Sequence, residues 1–287
     1  MRFFEAHVHY QDRKLVTHWP AIAAELTGIG LVEAVCNGTS PEDWQAVADL
    51  SQKHAWIRPA FGLHPWQVGN VGKGWLNELR QLLLSDPRAL VGEIGLDLWM
   101  LRAARADDPR LTGLNRAPLE IQEAAFVAQF ELAVELKRPP TIHGLDAWDR
   151  LVQLLKNARL PAHGFLLHGF SGPSEYVAQF IDAGAFFSFN GNFLSPRHAR
   201  IRDIFARLPL ERILVETDAP AMPLPESHRK YRLPPAPDGS TPNHPANLEV
   251  TYSALAEIRG TSTTALADAI ESNFYRLFGG NREIGNA

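Results

Sequence analysis

Cysteine is nearly absent from this chain, which has one in 287 residues. A lone cysteine excludes an internal disulfide framework and is typical of cytoplasmic proteins, so we expect a cytoplasmic protein with Cys36 as a buried structural thiol. Acidic and histidine residues occupy the N-terminus, where a signal peptide would have an apolar segment. No apolar run approaches the ~18 residues of a membrane-spanning helix, so we expect no membrane contact.

A strong imbalance of charge is also missing. The chain has 28 basic and 32 acidic side chains, with a formal net charge of −4. Any attraction for phosphate must therefore come from a local cluster of cations. No glycine-rich fingerprint follows the first predicted strand, which argues against a dinucleotide-binding sheet. No shift in composition marks a boundary, and we predict a single domain over residues 1–287.

Short apolar runs alternate with segments of helical periodicity along the chain. Runs rich in Val, Ile, Leu and Phe are typical of parallel strands that are buried on both faces. Eight of them predict an α/β fold, a single (β/α)8 TIM barrel with extra C-terminal helices, against the competing doubly wound open sheet. The predicted strands are Phe3–His9, Leu31–Asn37, Ile57–Leu63, Ala89–Gly95, Pro140–His143, Phe165–Phe170, Ala185–Asn190 and Arg212–Asp218.

Periodicity and capping residues also predict helices between and after these strands. Ser40 followed by Pro41 is a typical helix start, because Ser caps the first turn and Pro fits its first position. The C-terminal region adds two helices after the last strand. The other predicted helices are Pro118–Lys137, Asp146–Ala158, Pro173–Ala183, Pro196–Leu208, Pro245–Ile258 and Thr263–Phe278.

Residue types that bind metals occur on these strands. His7 and His9 are two positions apart on the first strand, so both side chains point to the same face. An isolated His-x-His is more often a pair of surface histidines. Its interpretation as part of a metal site therefore requires further ligands on later strands. Barrels place their active sites at the carboxyl ends of the strands, where such ligands would meet. The candidate metal ligands are His7, His9, Glu93, His143, His168 and Asp218.

The number and type of these ligands indicate two divalent metal ions. A single catalytic zinc uses about three protein ligands, fewer than the set found here. Burying so many titratable groups without a cation would be costly. Nitrogen and oxygen ligands without thiolate suit Zn²⁺, Mg²⁺ or Mn²⁺. A carboxylate such as Glu93 can bridge two ions about 3.5–4 Å apart, which activate a water between them.

Three basic clusters follow predicted strands, two of them in long loops. Long loops in compact domains are usually functional or disordered, and these leave the strands at the end that carries barrel active sites. Each cluster alone would be ordinary surface charge, but three at one rim indicate an anionic substrate. They are Arg102, Arg105, Arg110 and Arg116 in residues 98–117; Arg197, His198, Arg200 and Arg202; and His228, Arg229, Lys230, Tyr231 and Arg232 in residues 222–244.

A series of short motifs runs from end to end of the chain. In order they are His7-Val8-His9, Gly62-Leu63-His64-Pro65, Gly92-Glu93-Ile94-Gly95-Leu96-Asp97, Ile142-His143, His168-Gly169-Phe170-Ser171-Gly172, Glu216-Thr217-Asp218-Ala219-Pro220 and Asn273-Phe274-Tyr275-Arg276-Leu277-Phe278. Each motif alone is unspecific, but the ordered combination resembles the TatD-type metal-dependent hydrolases of the amidohydrolase superfamily.

The resemblance implies a TIM barrel with a pair of divalent metals. One metal would be held by His7, His9, Glu93 and Asp218, and the other by Glu93, His143 and His168. Characterised relatives are deoxyribonucleases, often 3′→5′ exonucleases, and some act as deacylases on tRNA.

The chain departs from the family pattern at three places, none of which is a proposed ligand. Glu5 stands where the family usually has Asp. The family often has His-Ser-Arg-Asp after strand 5, whereas this chain has His143-Gly144-Leu145-Asp146, and it has Asn243-His244-Pro245 in place of Asn-Glu-Pro. Leu145 cannot provide the bidentate phosphate contact of an arginine, so these departures concern the substrate more than the chemistry.

We predict metal-assisted hydrolysis of a phosphodiester by an activated water. Asp218 and Glu93 would be the catalytic residues, with Asp218 as proton acceptor. Glu5 and Glu216 would support metal ligands from behind, and Asp97 would pair with a nearby arginine.

The expected partners are nucleic acid ends or another anionic substrate. Residues predicted to bind it are His64, Arg229, Lys230 and Arg232. An alternative enzyme would hydrolyse a small-molecule ester or amide, or an aminoacyl-tRNA, with the same centre. A non-catalytic scaffold stabilised by metal is the third hypothesis, which the full set of ligands disfavours.

Overall fold

Eight parallel strands form the wall of a barrel. The protein is represented by a computed structural model that describes residues 1–105 and 107–279. The strands follow one another around the sheet in chain order, which confirms the predicted barrel. They are β1 (Phe3–Val8), β2 (Leu31–Asn37), β3 (Ile57–Phe61), β4 (Leu90–Asp97), β5 (Pro140–Leu145), β6 (Phe165–Leu167), β7 (Ala185–Asn190) and β8 (Ile213–Glu216).

Helices occupy the connections between the strands and follow the last one. None of those in the described ranges is long and apolar enough to cross a membrane. They are α1 (Arg13–Val16), α2 (Trp19–Ile29), α3 (Pro41–Lys53), α4 (Trp75–Ser85), α5 (Trp99–Arg102), α6 (Leu119–Leu136), α7 (Trp148–Asn157), α8 (Val177–Asp182), α9 (Ala199–Arg207), α10 (Leu248–Ile258) and α11 (Thr263–Phe278).

The observed helices differ from the predicted ones in two ways. α8, α9 and α10 begin later than predicted, because the proline-led segments before them form 3₁₀ turns. Such turns are common at helix N-termini. The sequence analysis did not predict α1, α2, α4 and α5. The first and last of these have only four residues, and α2 and α4 each bury a single pair of apolar residues at i and i+4. One such pair is too weak a periodic signal to predict a helix.

The barrel closes between its first and last strands. The N–H of Asp218 donates to the carbonyl oxygen of His7 at 3.0 Å, and the N–H of His9 donates to that of Ala219 at 2.9 Å. The fully buried Glu5 carboxylate accepts hydrogen bonds from the N–H and the hydroxyl of Thr217, both at 2.8 Å. Closure therefore brings the end of β8 beside the two histidines at the end of β1.

The last two helices support this closure from outside the barrel. The hydroxyl of Tyr252 on α10 donates to the carbonyl oxygen of Phe4 at 2.9 Å and accepts from its N–H at 3.1 Å. The buried amide of Asn273 on α11 donates to the carbonyl oxygens of Leu210 and Ile213 at 2.7 and 2.8 Å. One helix is thus hydrogen-bonded to β1 and the other to the start of β8.

We predict that Asn273→Ala lowers the free energy of unfolding by about 1–3 kcal/mol, because two buried carbonyl oxygens lose their donor. Urea denaturation measures the change. Asn157→Ala is the matched control: its exposed amide also donates to a carbonyl oxygen, that of Gln153, so its loss should cost less than about 0.5 kcal/mol. Equal effects of the two substitutions would contradict the proposed role of Asn273.

Candidate metal centre

Four of the predicted ligands form a compact group at the carboxyl end of the barrel. The Nε2 atoms of His7 and His9 are 3.1 Å apart, and Oε2 of Glu93 is 3.4 Å from each. Oδ1 of Asp218 is 3.5 Å from the first nitrogen and 3.3 Å from the second. Four ligand atoms arranged as a tetrahedron about 2.0–2.1 Å from an ion are separated by roughly 3.3–3.4 Å. The group therefore fits one divalent ion.

The other oxygen of Glu93 faces a second group of ligands. Oε1 is 3.0 Å from Nδ1 of His143 and 2.7 Å from Nε2 of His168, and these two nitrogens are 3.3 Å apart. Glu93 is only 3% exposed, so its two oxygens have neighbours on both sides and little contact with water. One carboxylate thus joins two ligand groups, as a site for two ions requires.

Two of the histidines are oriented by an oxygen behind the ring. Nδ1 of His9 is 2.7 Å from the carbonyl oxygen of Asn37. A carbonyl only accepts, so Nδ1 carries the proton and the lone pair of Nε2 faces the ligand group. Nε2 of His143 is 3.4 Å from Oδ2 of Asp97. Such partners fix the orientation of metal-binding imidazoles.

Glu216 stands behind His168 in the same way. Its Oε1 is 3.8 Å from Nδ1 of His168, at the limit of an ion pair. The hydroxyl of Ser188 donates to the carboxylate, and Nδ2 of Asn190 donates to it at 3.3 Å. Donors from β7 therefore hold Glu216 beside His168, at the place where the sequence analysis predicted a supporting carboxylate.

Glu5 supports the site less directly than the prediction implied. Its carboxylate binds the backbone and side chain of Thr217 and lies 3.4 Å from the N–H of His7. It therefore contacts the residue before Asp218 rather than a ligand side chain. Burial raises the pKa of Glu5 well above its usual value, although the hydrogen bonds from Thr217 oppose that shift.

Asp97 contacts a histidine and a tryptophan, so its predicted pairing with an arginine is wrong. Its Oδ2 accepts from the indole N–H of Trp66 at 2.5 Å and lies beside His143, and its Oδ1 accepts from the N–H of Met100 at 2.8 Å. Within residues 1–105 and 107–279, no arginine forms a hydrogen bond or an ion pair with it. Asp97 instead links His143 to the wall of the cavity.

Backbone geometry at two positions brings the ligands close. Gly95 has φ +152°, and a Cβ there would lie 2.0 Å from the carbonyl oxygen of His143. Only glycine therefore allows β4 and β5 to approach closely enough to place His143 beside Glu93. Asp218 has φ +53°, a left-handed conformation that Asp adopts more readily than most residues. The N–H of Asp218 donates to the carbonyl oxygen of His7, which is one of the two hydrogen bonds that close the barrel.

The electrostatics of the site stabilise an ionised Glu93. Burial raises its pKa, but the neighbouring imidazoles outweigh burial and hold the pKa well below its usual value. For His143, burial lowers the pKa, while hydrogen bonds to Asp97 and Glu93 raise it to about 9. The same competition, with Asp218 and Glu93 as partners, raises the pKa of His9. The carboxylates thus attract positive charge, which a divalent cation would supply on displacing protons.

His64 faces the second group, but its hydrogen bonds favour a donor over a ligand. Its Nδ1 accepts from the backbone N–H of Trp66 at 3.1 Å. In the neutral ring the proton is then on Nε2, which is 3.3 Å from Oε1 of Glu93. An Nε2–H group cannot coordinate a metal. It faces the Glu93 carboxylate, so donation to another anion in the cavity would replace that contact.

A cavity of about 630 Å³ opens above the ligands. Two of the three predicted basic clusters contribute to its lining, one through Arg110 and the other through Arg197 and His198. Arg110 is held by Asp108 at 2.7 Å. Arg197 is exposed and forms no hydrogen bond or ion pair with the described part of the chain. Among the described residues, the cavity lining therefore includes one arginine that is paired with a carboxylate and one that is free to bind an anion.

The structure does not bring Arg229, Lys230 and Arg232 to this cavity. Arg229 Nη1 is 2.8 Å from Oε2 of Glu226, and Arg232 pairs with the same glutamate. Lys230 Nζ is 2.5 Å from Oε2 of Glu249. The segment after β8 instead reaches the cavity through Ala221, Met222 and Pro223.

Three residues that support the ligand groups were missed from the sequence. Ser188 and Asn190 on β7 bind Glu216 through their side chains, and Asn37 at the end of β2 binds His9 through its backbone carbonyl oxygen. Polar side chains on a buried strand were the available signal for the two residues of β7, but that signal was applied only to residue types that bind metals, and a backbone contact leaves no signal in the sequence. Trp66 carried no such signal, because its position depends on the conformation of a loop.

Fold and site together define a metal-dependent hydrolase built on a parallel barrel. The chain belongs to the TatD-related DNase family, whose model matches residues 4–279, and this confirms the resemblance drawn from the motifs.

Individual relatives match over nearly their full length. The uncharacterized metal-dependent hydrolase YjjV of Escherichia coli is 29% identical, with 96% of this chain and 98% of that protein covered. The 3′-5′ ssDNA/RNA exonuclease TatD of Klebsiella pneumoniae is 30% identical, with 90% of each covered. The crystal structure of YjjV superimposes with a TM-score of 0.82 at 28% identity, covering 98% of this chain and 99% of that one.

We predict that Glu93→Gln lowers the affinity of both ion positions, because the substituted group has one oxygen instead of two. Metal analysis after dialysis should find about two ions per wild-type chain. The Glu93→Gln variant should retain fewer, because both ions would lose a ligand. Asp97→Asn should weaken only the position beside His143, by about 10–100-fold. Glu33→Gln, at a strand carboxylate paired with Arg58, is the control. Full metal content in Glu93→Gln would contradict a shared carboxylate.

Proposed function

We propose that this protein is a divalent-metal-dependent nuclease that removes nucleotides from the 3′ ends of single-stranded DNA. The observation that carries the proposal is the double-sided Glu93 at the floor of a cavity that two arginines line. The relative from Klebsiella pneumoniae, named as a 3′-5′ ssDNA/RNA exonuclease, supports the same substrate class.

Two ions, of Mg²⁺, Mn²⁺ or Zn²⁺, would share Glu93. His7, His9 and Asp218 would complete one position. His143 and His168 would complete the other. When bound, the ions supply Lewis acidity, which stabilises charge on phosphate oxygens and lowers the pKa of water.

The protein's own groups supply proton transfer and orientation. Asp218 is 8% exposed and lines the cavity, and it would accept the proton of the attacking water on a carboxylate oxygen. The water oxygen forms a bond to phosphorus as the bond to the 3′ oxygen of the remaining strand breaks. That oxygen takes up a proton and leaves a 3′ hydroxyl, while the released nucleotide keeps the phosphate. The Nε2–H of His64 would donate to a phosphate oxygen in exchange for its contact with Glu93.

Cations at the rim would hold the rest of the strand. Arg197 is exposed and unpaired within the described residues, so a phosphate can bind it without displacing another anion. Contacts with Arg229, Lys230 and Arg232 would require a longer strand and exchange of Glu226 and Glu249. We therefore place the main anion contact after β7. A cytoplasmic location fits the buried free thiol of Cys36.

We predict that the metal-loaded protein shortens 5′-labelled single-stranded DNA from its 3′ end. Chelation should abolish the activity, and Mg²⁺ or Mn²⁺ should restore it, because the ions supply the Lewis acidity that lowers the pKa of the attacking water and stabilises charge on the phosphate. Glu93→Gln should lose most of the activity. Gel electrophoresis of the labelled strand provides the measurement. If the metal-loaded protein leaves nucleic acid intact and hydrolyses an ester or amide, the phosphodiester proposal is wrong.

We predict that Arg197→Ala raises KM about two- to fivefold with little change in kcat, because an exposed ion pair contributes up to about 1 kcal/mol. The slope of log(kcat/KM) against log salt should fall by about one unit. Arg207→Ala removes a cation from the same helical region, outside the cavity lining, and is the matched control. An equal effect of both substitutions would show that only general charge matters.

A further inference from the structure

Trp66 forms part of the cavity wall beside the candidate metal centre. It follows β3, and its ring lies 5.6 Å from that of His64, at an angle of 82°. Partly buried tryptophans are common on protein surfaces, so exposure alone assigns no role. What distinguishes Trp66 is the way in which its ring is fixed.

The indole N–H of Trp66 is already used within the protein. It donates to Oδ2 of Asp97 at 2.5 Å, so it is not available to a ligand. Trp99 stacks against Trp66 with ring centroids 6.2 Å apart and an interplanar angle of 29°. The guanidinium of Arg110 lies 4.3 Å from the centroid of Trp99 and is held by Asp108. Trp66 is therefore a rigid aromatic surface whose remaining contact with the cavity is through its ring atoms.

We propose that Trp66 is a stacking subsite for the unpaired nucleobase of the nucleotide whose phosphate reaches Glu93. The proposal rests on the proposed function, since it names the part of a nucleic acid end that the site recognises. Every base has an aromatic face, so stacking gives affinity without sequence preference. Purines offer more surface than pyrimidines and should bind more tightly.

The arrangement of the barrel places the two recognition groups on opposite walls. Trp66 follows β3 and Arg197 follows β7, four strands away in an eight-stranded sheet. Glu93, on β4, contributes to the floor between them. A strand that crosses the mouth would thus stack a terminal base on Trp66 and place a neighbouring phosphate at Arg197.

Trp66 also touches two residues next to the ligand groups, so stacking must be separated from positioning. Its backbone N–H binds His64, and its indole N–H binds Asp97, which lies beside His143. Trp66→Ala removes the aromatic surface and the indole N–H together. Trp66→Phe removes the N–H but keeps an aromatic face. Neither substitution changes the backbone hydrogen bond to His64.

The test compares two ligands that differ only in the base. Calorimetric titration of the metal-loaded protein with 2′-deoxyadenosine 5′-monophosphate and with 2-deoxyribose 5-phosphate measures the base-dependent part of affinity without turnover. Trp66→Ala should weaken binding of the nucleotide about 5- to 100-fold and leave binding of the sugar phosphate within about twofold. Trp66→Phe should retain most of the preference for the nucleotide. Trp56→Phe is the matched control, because Trp56 precedes β3 and stacks on Trp19 at 6.1 Å.

Two results would overturn the proposal. One is a wild-type protein that binds both ligands equally. The other is a loss of affinity in Trp66→Ala that is the same for both ligands, which would assign Trp66 to positioning of Asp97. These outcomes are separate from failure of the proposed function: base-dependent binding without cleavage would refute the nuclease, and cleavage with no base preference would refute only the stacking subsite.

Discussion

Two backbone hydrogen bonds join the first strand of the sheet to the segment after its last strand, and the site depends on them. They place Asp218 beside His7 and His9, from which it is separated by most of the chain. Hydrogen bonds of Glu5 inside the barrel, and of Tyr252 and Asn273 outside it, stabilise these first and last strands. Because closing the barrel also completes one ligand group, selection for metal binding and selection for stability act on the same contacts.

Glu93 imposes the second constraint. A buried carboxylate between imidazoles remains ionised only while positive charge on those rings or on a bound cation offsets the cost of its burial. A hydrogen bond to a carbonyl oxygen fixes the ring of His9, and carboxylate oxygens lie 3.4 and 3.8 Å behind the rings of His143 and His168. The rings therefore present their nitrogens to Glu93 without further rearrangement. This preorganisation is what distinguishes a metal centre from a chance cluster of histidines.

The sequence predicted the strands well, and the structure brings its six candidate ligands together at one end of the barrel, because both predictions depend on local patterns. Apolar runs of strand length and metal-binding residues at their ends required only the rule that parallel strands meet at one mouth. The two long loops were harder. Both were expected to provide substrate contacts, yet residues 98–117 reach the cavity through Arg110, whereas Arg229 and its neighbours are bound by Glu226 and Glu249. Whether a surface arginine is free depends on the ion pairs that a loop forms on folding, which periodicity does not encode.

Floor and walls of the cavity therefore have different origins. The floor is made of residues in or just after strands, so their positions follow from the barrel. The walls come from loops, where Trp66 is fixed by Asp97 and Trp99, and Arg197 is left unpaired within the described residues. Asp97 connects the floor of the cavity with its wall, because it lies behind His143 and accepts a hydrogen bond from Trp66. A change in the wall at Trp66 can thus alter the orientation of a ligand, which couples recognition of the substrate to the metal centre through one carboxylate.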